Sequence, residues 1–357
     1  MLLSPRHARV TFRRLFSQGH GVGTTDQTQA SPDQRDLELL KKLSVARKAL
    51  LAQIGRKIIG QQEVVENLVA AILAGGHVVI VGVPGLAKTL LVQTVSEALD
   101  LTFSRVQFTP DLMPGDITGT ELLEEDHATG RRVFKFVKGP VFANVVLADE
   151  INRAPPKTQS ALLQAMQERT VTVAGQTHKL PSPFFVLATQ NPIEQEATYP
   201  LPEAQLDRFM FELNVGYPSF EEEERIVTST TGAGEVTIEP VLRGEEVLEL
   251  QRLVRRMPAP PSIVKFAVGL ARSTRPSEPD AHPEIKKYVS YGTGPRASQY
   301  LVLGAKARAA MDGRPVPDID DVRSVAMTVL RHRMVMNFQA EAEGMGADKI
   351  VSLVLKR

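Results

Sequence analysis

Gly82-Val83-Pro84-Gly85-Leu86-Ala87-Lys88-Thr89 stands between a short apolar run, Val78 to Val81, and a helical pattern that begins at Leu90. Strand, glycine-rich turn, Lys-Thr, helix is the order of a phosphate-binding loop. Backbone N–H groups at a helix start point at an anion, and the helix dipole adds positive potential there. Lys88 has the reach for outer phosphates, and the Thr89 hydroxyl is placed to hold Mg²⁺. The glycine usually found before the lysine is Ala87 here, which removes some backbone freedom. By itself the octet predicts only that a nucleoside triphosphate binds, so the surrounding sequence decides what is done with it.

The bulk numbers exclude several classes. At 357 residues the chain has room for roughly two domains with real cores. A hydrophobic share of 43% and a charged share of 23% are those of a globular protein. Forty-two basic residues against 41 acidic ones leave a net charge of +1, with no global pull towards nucleic acid or an anionic membrane. Cysteine is absent, so disulfides, thiolate zinc sites and cysteine nucleophiles are ruled out. The seven histidines show no His-Glu-x-x-His pairing of a zinc protease. The longest apolar stretch, Leu68 to Val83, is broken by Gly75-Gly76-His77 and falls short of the ~20 residues a membrane span needs. A cytoplasmic location is expected.

Four parts are expected along the chain. Residues 1–36 read as a basic, disordered tail carrying Arg6, Arg9, Arg13 and Arg14 before the first acid, Asp26. Residues 37–216 read as an α/β core, 217–258 as a connecting helical segment and 259–357 as a small all-α domain. Val78 to Val81, Val145 to Ala148 and Phe184 to Ala188 are unbroken apolar runs, which suit strands of a parallel sheet buried on both faces. Helical segments separate them, as in α/β winding. Glu121 to Val137 and Thr170 to Leu180 read as inserted β-hairpins, the first turning at Asp126 to Gly130 and the second at Gly175. Ser219 and Glu222 have the spacing of a capping box, so the run of four glutamates is a solvated first turn rather than a metal site.

The chemistry gathers at strand ends. Val145-Val146-Leu147-Ala148 runs into Asp149-Glu150, and the carboxyl end of such a strand lies beside the phosphate loop in a doubly wound sheet. Asp149 is then placed for the Mg²⁺ shell and Glu150 for polarising an attacking water as a general base. Two solvated acids would be the plainer reading of the pair alone. Phe184 to Ala188 leads to Thr189-Gln190-Asn191-Pro192, where Asn191 can orient the same water or merely form an Asn-Pro turn. Arg208 closes Glu203-Ala204-Gln205-Leu206-Asp207-Arg208, and arginine suits transition-state phosphate charge; an ion pair with Asp207 or Glu203 is its ordinary alternative. Gly294-Pro295-Arg296 opens a C-terminal helix that aims Arg296 at the nucleotide if that domain folds over the cleft, and otherwise leaves a surface cation.

In this order the parts resemble AAA+ ATPases, and among them the MoxR family. The resemblance runs from about Ile58 to Asn337. Its most specific stretch is Leu147 to Gln159, joined by Gly139-Pro140-Val141-Phe142, Ala161 to Glu168, Ala188 to Pro192 and Leu201 to Phe209. It implies Walker A at Gly82, Val83, Pro84, Gly85, Leu86, Ala87, Lys88 and Thr89, followed by Leu90, and Walker B at Asp149 and Glu150. It implies sensor 1 at Asn191, an arginine finger for the neighbouring subunit at Arg208, and sensor 2 at Arg296. Ile59 and Gly60 resemble the wall of the adenine pocket. The two hairpins match the helix-2 insert and the pre-sensor-1 hairpin of the clade.

What the resemblance implies is an ATPase using ATP and Mg²⁺ in a homo-oligomeric ring, a hexamer, that remodels or activates a protein client. A von Willebrand factor A domain protein is one such client class. Two alternatives stay open at this point. A nucleic-acid motor would use Arg131, Arg132, Lys135 and Lys138 of the first hairpin, against a near-zero net charge. A nucleotide-gated switch would bind without appreciable turnover. Arg153 rivals Arg208 as the trans-acting cation, or pairs with Glu150.

Overall fold

A computed structural model describes residues 33–125, 132–192, 199–232, 234 and 236–356. Residues 1–32 of the expected tail and the turn at 126–130 lie outside this set. The first helix begins at Gln34, three residues before the expected start of the core, and runs to Gly55.

The strands in chain order are β1 (Val78–Val81), β2 (Phe103–Gln107), β3 (Gly119–Glu125), β4 (Arg132–Lys138), β5 (Val145–Asp149), β6 (Thr170–Val173), β7 (Gln176–Lys179), β8 (Phe185–Gln190), β9 (Phe211–Asn214), β10 (Val289–Tyr291) and β11 (Val335–Met336). Five of them form the main sheet, in the order β2-β5-β8-β1-β9, with all neighbours parallel. Val78 is in register with Leu187 and Phe211, and Val145 with Phe103 and Phe185. The three expected apolar runs are the three inner strands. Their side chains alternate between two separate cores: Val78, Ile80, Val145 and Leu147 enter one, and Val79, Val146 and Ala148 the other. Both faces are covered, so neither parity of position tolerates a polar residue, and the runs read as continuous.

The two cores differ in what covers them. Helix Pro156–Glu168 closes the second with Leu162, Leu163 and Met166, against Phe108, Ile117 and Phe209. The first core joins N-terminal and C-terminal helices of the described residues. Leu40, Leu43 and Leu50 of helix Gln34–Gly55 share it with Leu301 and Ala305 of helix Pro295–Met311 and with Val325 and Val329 of helix Ile319–Leu330. The C-terminal helices thus form a helical lid on the parallel sheet, carrying one short antiparallel ribbon, β10 with β11.

Both expected hairpins are present. β3 pairs antiparallel with β4 from Gly119–Lys138 to Glu125–Arg132, and β6 with β7 from Thr170–Lys179 to Val173–Gln176. The β6–β7 turn has left-handed backbone at Ala174 (φ 48°) and Gly175 (φ 81°), the two-residue turn that matches strand twist. Phe136 of one hairpin stacks on His178 of the other with ring centroids 4.0 Å apart, so the two insertions pack on each other. The Ser219 capping box also forms: Ser219 Oγ accepts from the Glu222 amide at 3.2 Å, and the Ser219 amide donates to Glu222 Oε2 at 2.9 Å.

Candidate nucleotide site

Because β1, β5 and β8 run parallel and adjacent, the segments leaving their carboxyl ends converge on one edge of the sheet. A cavity of about 510 Å³ lies there, lined by Pro84 to Leu90, Arg105, Asp149, Glu150, Thr189, Gln190 and Asn191. Its entry loop is shaped by Gly82, whose added Cβ would come within 2.7 Å of the Val215 carbonyl, and by Gly85 at φ +84°. Ala87 itself takes φ 54° immediately before helix Lys88–Ala98. The usual glycine would accept that left-handed backbone freely; alanine holds it at a cost of roughly 1–2 kcal/mol.

The basic and acidic groups of the cavity are poised against one another. Lys88 Nζ donates to the Val83 carbonyl at 2.8 Å and to the Gly82 carbonyl, folding the side chain back over its own loop. Burial pushes the Lys88 pKa below its usual value, against the pull of Asp149 and Glu150. Thr189, fully buried, donates its hydroxyl to Asp149 Oδ1 at 2.6 Å and accepts the Glu150 amide at 2.8 Å. Arg105 clamps the other carboxylate oxygen, Oδ2, through Nε at 2.9 Å and Nη2 at 2.7 Å. Glu150, at φ 55°, is turned out of the strand into a sparsely populated backbone region, a conformation that persists only where its surroundings hold it. Its Oε2 accepts from Gln107 Nε2 at 2.8 Å and from Arg153 Nη1 at 3.1 Å. Arg153 therefore sits on Glu150 of its own chain. Asn191 is buried beside these groups.

Metal ligation fits a shared rather than an all-protein site. Among the described residues no cluster of three or more His, Asp or Glu could hold an ion alone. Thr89 and Asp149 lie on one cavity wall with the phosphate loop, so an ion there would need phosphate oxygens to complete its shell. That is the ordinary situation of Mg²⁺, which keeps water and phosphate ligands.

Ile59 and Gly60 lie apart from the phosphate cavity. Gly60, at φ +72°, lines a second cavity of about 440 Å³ with Ile58, Val65, Glu222 and Arg225, and Gln61 Nε2 reaches the Leu86 carbonyl at 3.5 Å to join that segment to the phosphate loop. Ile59 itself is half-buried and is not among that cavity's lining residues.

Neither Arg208 nor Arg296 lines the phosphate cavity of this chain. Arg208 Nη1 donates to the Leu163 carbonyl at 3.1 Å. Arg296 Nη1 donates to Asp207 Oδ2 at 3.0 Å, next door to Arg208. Asp207 also receives Arg333, a residue the sequence reading missed. Arg333 donates Nε to Asp207 Oδ1 at 2.9 Å, Nη2 to the Asp207 carbonyl at 3.1 Å and Nη1 to the Met210 carbonyl at 3.2 Å. Arg105, Gln107 and Thr189 were missed as well. Their signal in sequence is slight: Arg105 and Gln107 stand on an edge strand of mixed polarity, and Thr189 reads as one of several polar residues before Asn191.

Comparison with known proteins agrees with this geometry. A family description, "ATPase family associated with various cellular activities (AAA)", matches residues 77–211, and "AAA lid domain" matches residues 283–353. The chain is 44% identical to Chaperone MoxR1 of Mycobacterium tuberculosis over 85% of this chain and 79% of that protein. It is 31% identical to Protein MoxR of Methylorubrum extorquens over 80% of this chain and 86% of that one. A crystal structure of a candidate ATPase from Cytophaga hutchinsonii superposes with a TM-score of 0.83 at 38% identity, covering 89% of this chain and 96% of the other. With its phosphate loop, acidic strand end and helical lid in place, the chain belongs to the MoxR family of AAA+ ATPases.

Proposed function

We propose that the protein hydrolyses ATP with Mg²⁺ at a site completed by a neighbouring subunit of a homo-oligomeric ring, and uses the turnover to remodel or activate protein clients in the cytoplasm. The observation that carries this reading is the separation of Arg208 from its own chain's cavity. Lys88, Thr89, Asp149, Glu150 and Asn191 gather in one place, while Arg208 bonds the Leu163 carbonyl outside that lining. An arginine that serves a neighbour requires a heterologous interface, and such interfaces close into rings; six subunits is the expected size.

In this reading Lys88 and the amides of residues 82–90 bind the outer phosphates. Glu150 polarises the attacking water and accepts its proton, and Asn191 orients that water. Mg²⁺, when held by Thr89 and Asp149, supplies charge neutralisation at the phosphates. Ile59 and Gly60 flank the base. The core at 37–216, the connecting segment at 217–258 and the lid at 259–357 are the moving parts. A protein client is supported by the β3–β4 hairpin, where Leu122, Leu123, Phe134 and Val137 are exposed and Phe134 reaches 68% exposure. Lys135 pairs with Glu124 at 3.1 Å, and Glu121, Glu124 and Glu125 of β3 match Arg132, Lys135 and Lys138 of β4 in number, which weakens the nucleic-acid reading. A von Willebrand factor A domain protein is the proposed partner class.

The test uses two inactive chains. Glu150→Gln should bind ATP without turnover, and Arg208→Ala should lose on the order of 10³ in rate. Mixed at equal ratio, they should recover up to about a quarter of wild-type ATPase, the share of interfaces random mixing completes. No recovery in a mixed assembly would refute the shared site.

A further inference from the structure

A large cavity opens on the Arg208 side of the molecule, about 890 Å³ in volume, walled by helices Pro261–Arg272 and Pro295–Met311. Its place is fixed by two contacts. Arg296 in its wall bonds Asp207, and Tyr300 in its wall donates its hydroxyl to the Arg208 carbonyl at 3.3 Å. Five cations line it, Arg255, Arg272, Arg275, Arg296 and Lys306, and no carboxylate is among the described lining residues. Glu278 at the border neutralises Arg272 at 2.7 Å, and Asp207 neutralises Arg296 at 3.0 Å. Arg275 spends Nε on the Thr293 carbonyl at 2.9 Å and approaches Glu278 at 3.6 Å. Arg255 and Lys306 are paired with no carboxylate among the described residues. Burial and the Arg255 charge hold the Lys306 pKa below its usual value. Val264 and Val268 give the groove an exposed apolar strip.

The complement lies on another helix of the same chain, outside the groove's lining. Helix Phe220–Thr230 has no buried residue, although Phe220 is 80% exposed and Val227 53%. Phe220, Glu223, Glu224 and Val227 stand at i, i+3, i+4 and i+7, which places two apolar and two acidic side chains on one face. Glu222 and Arg225 turn the other way and line the cavity beside Gly60. The helix therefore flanks the nucleotide side of the molecule with its amphipathic face outward. Its 11 residues span about 16 Å, and the 12 of helix Pro261–Arg272 span about 18 Å, so the groove is long enough to take it.

We propose that helix Phe220–Thr230 of one subunit seats in the cationic groove of the next, with Glu223 and Glu224 facing Arg255 and Lys306, and Phe220 and Val227 covering Val264 and Val268. The inference rests on the reading that Arg208 serves the neighbouring subunit's site. An interface that carries Arg208 to the next phosphate cavity brings the groove beside Arg208 towards the Gly60 cavity, which the acidic helix lines and Gln61 joins to the phosphate loop. The charges are opposite, the apolar strips match in kind, and among the described residues no opposite charge pairs Arg255, Lys306, Glu223 or Glu224.

The test is a charge swap on the full chain, read by sedimentation velocity with Mg²⁺ and a non-hydrolysable ATP analogue. One variant carries Arg255→Glu and Lys306→Glu; the other carries Glu223→Lys and Glu224→Lys. Each alone should assemble at least about tenfold more weakly than wild type, because like charges then face each other. An equal mixture should return to the wild-type size, because every interface of an alternating ring regains opposite charges. Assembly of either variant at wild-type strength overturns the contact, and so does a mixture that stays dissociated. The Glu150→Gln and Arg208→Ala mixture separates the two readings. Recovery there with unaffected assembly here removes the docking contact and leaves the shared site. Rescue here without recovery there removes Arg208 as the finger and leaves the contact.

Discussion

Replacing Arg333 with methionine should cost about 3 kcal/mol of stability and disturb the segment that carries Arg208. The side chain is 1% exposed, yet it carries a guanidinium. Burial pushes its pKa down to about 10, with Asp207 pulling the other way, so it stays charged at neutral pH. It donates to Asp207 Oδ1 and to the carbonyls of Asp207, Phe209, Met210 and Val329, and lies 5.0 Å over the Tyr300 ring. Summing about 1.5–3 kcal/mol for each charged hydrogen bond would give about 8–15, and that sum is the wrong one. Phe209 O keeps a second donor, His332 Nε2 at 3.1 Å, and Asp207 keeps Arg296. What Arg333→Met strands is the Asp207, Met210 and Val329 carbonyls, at about 1 kcal/mol each, plus the small lost share of the ion pair. The result sits at the low end of the 3–5 kcal/mol expected when one half of a buried pair is removed. Equilibrium urea unfolding at pH 7, with unchanged slope, measures it. A loss below about 1 kcal/mol would refute the accounting. Because Arg333 fixes residues 207–210, folded Arg333→Met should also lose ATPase activity through Arg208; wild-type turnover in folded protein would break that link.

Ala87→Gly should stabilise the protein by about 0.5–1 kcal/mol, since relief of the left-handed strain exceeds the entropy glycine adds to the unfolded chain; a destabilised variant would show that the methyl group packs instead. His77 is buried, with Nδ1 accepting the Val186 amide at 2.9 Å and Nε2 on the Met166 carbonyl at 3.3 Å, and burial lowers its pKa to about 4. The unfolded chain, with histidine near 6.5, binds the proton first, so stability falls as pH drops from 6.5 to 4, by about 3 kcal/mol for this group; denaturation midpoints across that window should flatten in His77→Asn, and an unchanged slope would exclude His77 as the cause. Glu212 has the opposite sign: burial raises its pKa to about 7, so its contribution is full below pH 4.5 and is lost as pH rises through 7. Glu212→Gln should therefore raise the melting temperature more at pH 8 than at pH 5, and equal shifts would refute it. Arg105→Ala releases Asp149 Oδ2 from its guanidinium clamp and should lower the Mg²⁺ concentration needed for half-maximal ATPase several-fold, whereas a higher requirement would make Arg105 a support of the metal site.

The inner strands were legible because burial on two faces forbids polar residues at either parity, and the phosphate loop because its conformation demands particular residues at particular places. The edge strand was not. Phe103-Ser104-Arg105-Val106-Gln107 buries only Val106, so its sequence carries no uninterrupted apolar run. With the strand went its two functional side chains, since Arg105 and Gln107 matter only through register with Leu147 and Asp149. Arg333 was illegible for a different reason. Arg331-His332-Arg333 is a polar triplet after a helix, which ordinarily sits in water; here the last turn of that helix meets the carbonyls that precede β9. Nothing local to the triplet records that meeting.

Asp207 ties the lid to the segment that carries Arg208. Two lid arginines share its carboxylate, Arg333 on Oδ1 and Arg296 on Oδ2, and Arg208 follows it in sequence. The two pairs are not equivalent. Arg296 is 38% exposed against an aspartate that is 31% exposed, and a pair in that setting is worth about 0–1 kcal/mol. Arg333 is enclosed, and breaking its pair strands buried acceptors at several times that cost. Arg296 can leave Asp207 with little loss, while Arg333 continues to neutralise the carboxylate and to hold residues 207–210. The sequence expectation for Arg296, that it turns towards a nucleotide, thus requires no rearrangement of the segment that carries Arg208. A lid rotation that moved Arg333 would have to unmake that segment as well.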